Sequence, residues 1–284
     1  MINGVITKGI GGFYYVATDT GLVECSARGR FRKQKIKPYV GDYVNIIVDG
    51  AQGVIEEILP RKNNLIRPPV SNIDQIVVVI AATMPQPDLF VVDKLILQAE
   101  KNGIDAIVCV NKTDLANPEE ILKTYQSAGY EAIAVCALDN HGMDPLKKRL
   151  QGKITAFAGN SGVGKSSILN ALGFSLETGE ISRIEHGKHT TRHVELMPFG
   201  VGGFVIDTPG FSLLDISDIR AEELAHFYPE FRDLAPCGFL DCAHIGGKGC
   251  SVIQAVENGS IASTRYESYV TLYNELKKIK EWER

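Results

Sequence analysis

No apolar run in the 284 residues approaches the length needed to cross a bilayer. The first residues, Met1-Ile2-Asn3-Gly4-Val5-Ile6-Thr7-Lys8, lack the charged-then-apolar pattern of an export signal. These two absences lead to the expectation of a cytoplasmic protein with no membrane partner. Excess charge is missing too: the formal net charge is −4, so affinity for an anionic partner has to come from local clusters. Cysteine is scarce, and of the six present Cys25, Cys109 and Cys136 are scattered. In a reducing compartment that excludes a disulfide framework. The remaining composition, 44% hydrophobic and 23% charged, excludes fibrous and disordered classes and is sufficient for two or three domains.

What is present is organised around Gly159-Asn160-Ser161-Gly162-Val163-Gly164-Lys165-Ser166, a phosphate-binding P-loop pattern. The glycines let successive backbone N–H groups face a phosphate chain, Lys165 adds charge near the outer phosphates, and Ser166 offers a hydroxyl to Mg²⁺. Lys153 to Ala158 reads as a buried strand leading in. Ser166 to Leu172 reads as a helix leading out, stopped by Gly173, with Ser167 in its first turn beside the nucleotide.

Residues 1–66 carry short β-rich runs, Gly12 to Ala17, Leu22 to Ser26, Asp42 to Val48 and Gly53 to Ile58, with no useful helical period. A five-stranded OB-type barrel is expected. Between two of its strands lie Arg28, Arg30, Arg32, Lys33, Lys35 and Lys37, with Phe31 among them and no acid. Such a run is ordinarily a solvated loop. On an OB barrel, basic residues beside a stackable ring are the composition that nucleic-acid backbone binding needs, and these six are the candidate RNA contacts.

Residues 67–216 change to strands alternating with helices. Ile76 to Ala81 is a continuous apolar run, as in a parallel strand covered on both faces. Asp88 caps a helix bearing Leu89, Val92, Leu95, Ile96 and Ala99; Ala106 to Val110 and Ile133 to Val135 are further strands, with helices starting at Asn117-Pro118 and Asp144-Pro145. This predicts a doubly wound α/β sheet.

After Ala106 to Val110 stands Asn111-Lys112-Thr113-Asp114, which resembles the Asn-Lys-x-Asp guanine motif of GTPases. A carboxylate at Asp114 can accept two hydrogens from the guanine edge, a pair adenine does not offer. Asn111 would bond the other base edge or pin the P-loop, and the Lys112 stem would lie along the ring. Gly203 to Ile206 leads into Asp207-Thr208-Pro209-Gly210, similar to the Asp-x-x-Gly motif whose acid reaches Mg²⁺ through water and whose Gly N–H meets the γ-phosphate. The polar stretch Glu185 to His193 reads as a switch loop supplying a threonine to Mg²⁺, Thr190 or Thr191. The order is unusual: the guanine motif precedes the P-loop and Asp-x-x-Gly comes last, so the domain is expected to be circularly permuted.

Residues 217–284 begin with a short helix from Ser217-Asp218 through His226. Cys237, Cys242, His244 and Cys250 follow, the composition of a structural Cys₃His zinc site with four protein ligands. Thr264-Arg265-Tyr266-Glu267 then reads as a capping box before a helix whose stripe of Tyr266, Tyr269, Tyr273, Leu276 and Ile279 is expected to pack.

Together these elements, over essentially the whole chain, resemble the circularly permuted GTPases of the ribosome small subunit-dependent GTPase A family. The resemblance implies an α/β protein with an N-terminal OB-type barrel, a circularly permuted P-loop GTPase domain and a C-terminal helical zinc-binding domain. It implies GTP hydrolysis to GDP stimulated by the 30S ribosomal subunit, with barrel and zinc domain docking on rRNA near the decoding region late in subunit maturation. Mg²⁺ and one Zn²⁺ are the implied ions, and a monomer is expected. Phe211 follows the Asp-x-x-Gly motif where many GTPases place a glutamine, so His189, in the Gly-x-His-Thr-Thr stretch, is the candidate for positioning water. Cys136-Ala137 stands where the base-contacting loop usually has Ser-Ala, a contact made by backbone N–H. Two other readings are open at this point: an RNA-binding assembly module whose nucleotide site is regulatory, and a GTPase switch for a protein partner.

Overall fold

The computed structural model describes residues 1–50, 52–65, 69–176, 194–207 and 216–279, with only the backbone of residue 207. Its first unit is a closed barrel of β1 (Ile2–Ile10), β2 (Phe13–Thr18), β3 (Gly21–Ala27), β4 (Tyr43–Asp49) and β5 (Gln52–Ile58). The strand order is β1-β2-β3-β5-β4, with β1 closing on β4, the five-stranded OB arrangement. The first strand, β1, has no counterpart among the runs read from the sequence. Its register shifts between Ile6 and Lys8, which breaks the alternation that marks a strand. Ile6, Val16, Cys25, Val44, Ile46 and Ile55 fill the barrel.

A connection through β6 (Asn64–Leu65) and β7 (Val70–Ser71) leads to a six-stranded sheet. Fully buried Asp42 fixes that junction, accepting hydrogen bonds from Arg61 Nε (2.7 Å), Arg61 Nη2 (2.8 Å), Ser71 Oγ (2.6 Å) and the Tyr39 N–H (2.7 Å).

The sheet comprises β8 (Gln75–Ala81), β9 (Asp105–Asn111), β10 (Glu131–Ala134), β11 (Ile154–Ala158), β12 (Met197–Phe199) and β13 (Gly203–Asp207), in the order β10-β9-β8-β11-β13-β12. All pairs are parallel except β12 with β13. The apolar runs alternate sides: Val78, Ile80 and Val108 pack under α2 (Leu89–Lys101) and α3 (Glu119–Ser127), while Val77, Val79 and Phe157 pack under α4 (Met143–Leu150) and α5 (Lys165–Ala171). Covering both faces is what a parallel sheet requires. The Asp88 carboxylate caps α2, accepting from Val91 N at 3.2 Å. β11, which feeds the P-loop, lies between β8 before it and β13 after it.

The C-terminal unit is helical: a 3₁₀ turn at Ala221–Phe227, then α6 (Pro229–Arg232), α7 (Ser251–Glu257) and α8 (Ser263–Lys278). The first helix therefore starts at Ala221, later than the Ser217 read from the sequence. Nor does the expected capping box at Thr264 form: α8 begins at Ser263 after Ala262, without a side-chain cap. Arg265 faces inward instead, only 2% exposed, and its guanidinium bridges Asp93 of α2 (Nη1 to Oδ1, 2.7 Å) and Glu230 of α6 (Nε to Oε1, 2.8 Å). Its Cζ lies 4.7 Å from the centre of the Tyr228 ring. Tyr269, Tyr273 and Leu276 pack as the stripe predicts.

One guanidinium thus holds three helices from two units. Arg265→Ala should destabilise this junction by about 3–5 kcal/mol, because Asp93 and Glu230 stay buried without their counter-charge. Urea denaturation checks it; a loss below about 1 kcal/mol, the range of exposed pairs, would show that water compensates both acids.

Candidate functional site

The C-terminal ends of β8, β9 and β11 meet at one edge of the sheet, where ligands bind in open α/β folds. The P-loop runs from the end of β11 into α5. Two of its glycines are dictated by close neighbours. At Gly159 (φ +140°) a Cβ would sit 2.2 Å from the Val79 carbonyl oxygen, and at Gly164 (φ +92°) 2.3 Å from Asn111 Nδ2. Lys165 Nζ donates to the carbonyls of Gly159 (2.7 Å) and Asn160 (2.9 Å), so the ammonium lies at the mouth of the loop. Asn160, Gly164, Ser166 and Ser167 are half-buried, Ser161 and Gly162 exposed, and Val163 buried in the core beneath.

Close approach at Gly164 lets the two motifs lock together. Asn111, buried at the end of β9, donates from Nδ2 to the Val163 carbonyl (3.0 Å), and its Oδ1 accepts from the Ala137 N–H (3.2 Å). Of the two roles open for Asn111, this geometry is the one that pins the P-loop. Lys112, at φ +64°, spans the same gap: Nζ donates to the carbonyls of Gly162 (2.8 Å) and Met84 (2.5 Å). The β8–α2 loop carrying Met84 and Pro85 therefore braces the P-loop. Sequence reading gave this loop no role, since it contributes a backbone oxygen and no diagnostic side chain. Asp114 is exposed at the rim, and the buried Cys136 thiol donates to its Oδ1 at 3.3 Å. Asp207 ends β13 opposite Phe157 of β11. His189, Thr190, Thr191, Gly210 and Phe211 lie outside the described residues.

A second site lies in the C-terminal unit. The ligand atoms of Cys237, Cys242, His244 and Cys250 all fall within 4.8 Å of one another. Cys237 Sγ is 4.0 Å from Cys250 Sγ, and each is 3.5 Å from His244 Nδ1. A tetrahedral zinc with bonds of about 2.3 Å to sulfur sets its sulfurs about 3.8 Å apart, so the cradle fits that ion. Burial lowers the His244 pKa from its ordinary value and favours the neutral imidazole that a metal requires. Outer contacts hold the ligands: the Ser251 N–H donates to Cys237 Sγ (3.3 Å), Tyr266 Oη to the His244 carbonyl (2.9 Å) and Tyr269 Oη to the Ala243 carbonyl (2.8 Å).

The basic run of the barrel departs from its expected form. Gly29–Lys33 is a short helix, α1, and it turns Phe31 into the barrel core at 6% exposure. Phe31 is therefore not a ring on which a base can stack; filling the barrel wins over exposing it. Glu56 pairs with Arg28 and Arg30 through ion pairs, and all six cations of the run, Arg28, Arg30, Arg32, Lys33, Lys35 and Lys37, are exposed. The run borders an open groove of about 700 Å³ lined also by Phe13, Tyr14 and Ile36. Phe13, 46% exposed, is an aromatic ring at the surface of this groove.

A P-loop locked to a guanine-type strand end, on a sheet whose central strand comes late in the chain, defines a circularly permuted GTPase. The chain belongs to the RsgA GTPase family. The family model described as RsgA GTPase matches residues 58–217, and that of the RsgA N-terminal domain matches residues 3–55. The small ribosomal subunit biogenesis GTPase RsgA of Caldanaerobacter subterraneus subsp. tengcongensis is 46% identical, over 98% of this chain and 96% of its own length. Two solved structures are similar. YjeQ from Thermotoga maritima has a TM-score of 0.86 at 39% identity, covering 98% of this chain and 99% of its own. YloQ, described as a circularly permuted GTPase, has a TM-score of 0.83 at 37% identity, covering 99% and 96%. Among the described residues no helix is long and apolar enough to cross a membrane.

Proposed function

We propose that this GTPase hydrolyses GTP when it docks on the small ribosomal subunit, acting as a cytoplasmic monomer in late maturation of that subunit. The observation that carries this reading is one chain holding both a P-loop locked to an Asn-Lys-x-Asp strand end and, on its OB barrel, an open groove lined by the exposed cations Arg28, Arg32, Lys35 and Lys37 and the exposed ring of Phe13. The relatives' name as small ribosomal subunit biogenesis GTPases supports the same partner. The division of labour is residues 1–66 for rRNA, 67–216 for nucleotide and 217–284 for the zinc-braced second contact. Arg32, Lys33, Lys35 and Lys37 neutralise rRNA phosphates, with Arg28 and Arg30 contributing beside Glu56.

At the nucleotide site Asp114 accepts the guanine edge, Asn111 holds base loop and P-loop in register, and Gly159 to Gly164 turn N–H groups toward phosphate. Lys165 exchanges its carbonyl partners for the outer phosphates. Ser166, with Thr190 or Thr191 and the Asp207 carboxylate, would hold Mg²⁺, which supplies charge neutralisation at the transferred phosphoryl group. Gly210 donates its N–H to that group. His189 orients the attacking water, a role that Phe211 cannot fill. Cys237, Cys242, His244 and Cys250 would hold a structural Zn²⁺.

GTP turnover with and without purified 30S subunits tests the proposal. The expected result is slow intrinsic turnover that rises by roughly 10² or more on 30S binding, the scale positioning alone can supply. His189→Ala should keep GTP affinity and 30S binding yet lose most of that rise. Turnover indifferent to 30S subunits would sink the reading.

A further inference from the structure

The register shift in β1 meets a partner outside the barrel. Ile6 stands opposite Val16 and Lys8 opposite Tyr15, so Thr7 between them is an extra residue with no place in the ladder to β2. A bulge of this kind leaves backbone groups unpaired and re-aims them. Here the Thr7 carbonyl accepts the Leu196 N–H at 2.8 Å. Lys8 and Glu195 form an isolated antiparallel bridge, and their side chains close an ion pair, Nζ to Oε2, at 2.7 Å. Thr7 Oγ1 donates to the Tyr15 carbonyl (3.1 Å) and holds the bulge in shape.

What the barrel grips is the lead-in to the edge strand of the nucleotide-binding sheet. Leu196, 1% exposed, shares a core cluster with Val5 of β1, and Ala17 of β2 packs against the same cluster. Met197, Pro198 and Phe199 of β12 then pair with Val205, Phe204 and Gly203 of β13. β13 pairs in turn with β11, the strand that feeds the P-loop, and ends at Asp207 opposite Phe157. The barrel is thus joined by hydrogen bonds and chain to the strand bearing the acid assigned to Mg²⁺. Coupling between distant sites travels through such contiguous rigid elements. The other junction, at Asp42, bonds Tyr39, Arg61 and Ser71, all of which precede β8 in the chain.

We infer that Lys8 and Glu195 are positioning residues for GTP hydrolysis: their pair, with the Thr7 bulge, is the link through which docking of the barrel sets β12, β13 and hence Asp207. The inference rests on the reading above that the docked small subunit stimulates turnover, and it adds the route.

The test measures GTP turnover with saturating 30S subunits and without them for the wild type, Lys8→Glu, Glu195→Lys and the double reversal. Each single reversal sets like charges against each other and should cut the 30S-stimulated rate about tenfold, within the range of coupling between sites. Intrinsic turnover should stay within about twofold, since the pair is half-exposed and lies away from the nucleotide. The two reversals change the net charge in opposite directions, so a loss they share cannot come from attraction to rRNA phosphate. The double reversal restores the pair with its signs exchanged and should recover most of the rise, which a merely structural defect at either position would not. Should a reversal not fold, Lys8→Gln and Glu195→Gln remove the pair without repulsion and should lose about threefold, the scale of one exposed pair. Unchanged stimulation in the single variants overturns the inference. So does an equal fall of intrinsic and stimulated turnover, which means general damage, and so does a double reversal no better than the singles. A wild type indifferent to 30S subunits overturns the reading beneath the inference, and it does so without any variant, so the two failures are distinguishable.

Discussion

Asp114→Asn should weaken GTP binding by roughly 10⁴, about 5.5 kcal/mol, and turn the preference of the protein toward xanthosine triphosphate. Guanine presents two hydrogens side by side, from the ring N–H and the exocyclic amine, and a carboxylate accepts both. Asparagine keeps one acceptor and places an NH₂ where the second should be, so two donors face each other. Xanthine carries a carbonyl in place of the amine, and the asparagine NH₂ then has an acceptor. Everything else stays: Asn111 remains bonded to Val163 and Ala137, and Lys112 to Met84 and Gly162. Competition binding with GTP, XTP and ATP measures the effect. Equal affinity of the wild type for ATP and GTP would refute the assignment.

Removing the metal should have an effect of comparable size on a different part of the molecule. Purified protein should carry one Zn²⁺ per chain, and a strong chelator should unfold the C-terminal segment, since apparent zinc-binding energies of about 10–16 kcal/mol are folding energy in such sites. Cys237, Cys242 and Cys250 lie on a stretch rich in Gly238, Gly246, Gly247 and Gly249, and its internal backbone bonding is limited to links such as Gly238 N–H to the Gly249 carbonyl. Without an ion, three sulfurs would repel on ionising, and Tyr266 and Tyr269 would lose the carbonyls they hold. The sheet has its own core on both faces and should survive. Metal analysis, thiol titration and GDP binding before and after chelation report the three parts separately. Protein without zinc whose thiols react freely in the native state would overturn the site.

How legible all this was depended on whether the cause of each feature was local. The P-loop, the Asn-Lys-x-Asp stretch and the Cys/His cluster are short runs of distinctive residue types, so they read directly as motifs, and the fold brings the members of each together. Strands β8, β9 and β11 read as apolar runs because both of their faces are covered. Arg265 looked like one residue of a capping box because its partners, Asp93 and Glu230, are far away in sequence and nothing near it shows that they exist. Phe31 looked exposed because four cations surround it within the run, and only closure of the barrel decides which way a five-residue helix turns. β1 was missed for the same reason: glycines and a register shift blur its period, and its partners β2 and β4 define it. The lock between Asn111 and Val163 was one of two roles open in the sequence, and only the fold brings the two residues within hydrogen-bond distance.

The permuted order of the sheet also fixes when the protein can first hold a nucleotide during its own synthesis. Chains fold as they emerge, N-terminal parts first. The barrel and the strands β8, β9 and β10 are synthesised before β11, so Asn111, Asp114 and Cys136 precede the phosphate cradle in synthesis. Until then β8, whose second neighbour is β11, presents an unpaired edge, and Gln75 to Val78 wait for Thr155 to Ala158. Had the P-loop strand come first, as in the unpermuted order, phosphate could be gripped before the base was read. In this nascent chain the base-reading segment is made before the grip on the phosphate, and β13 with Asp207 is added after both.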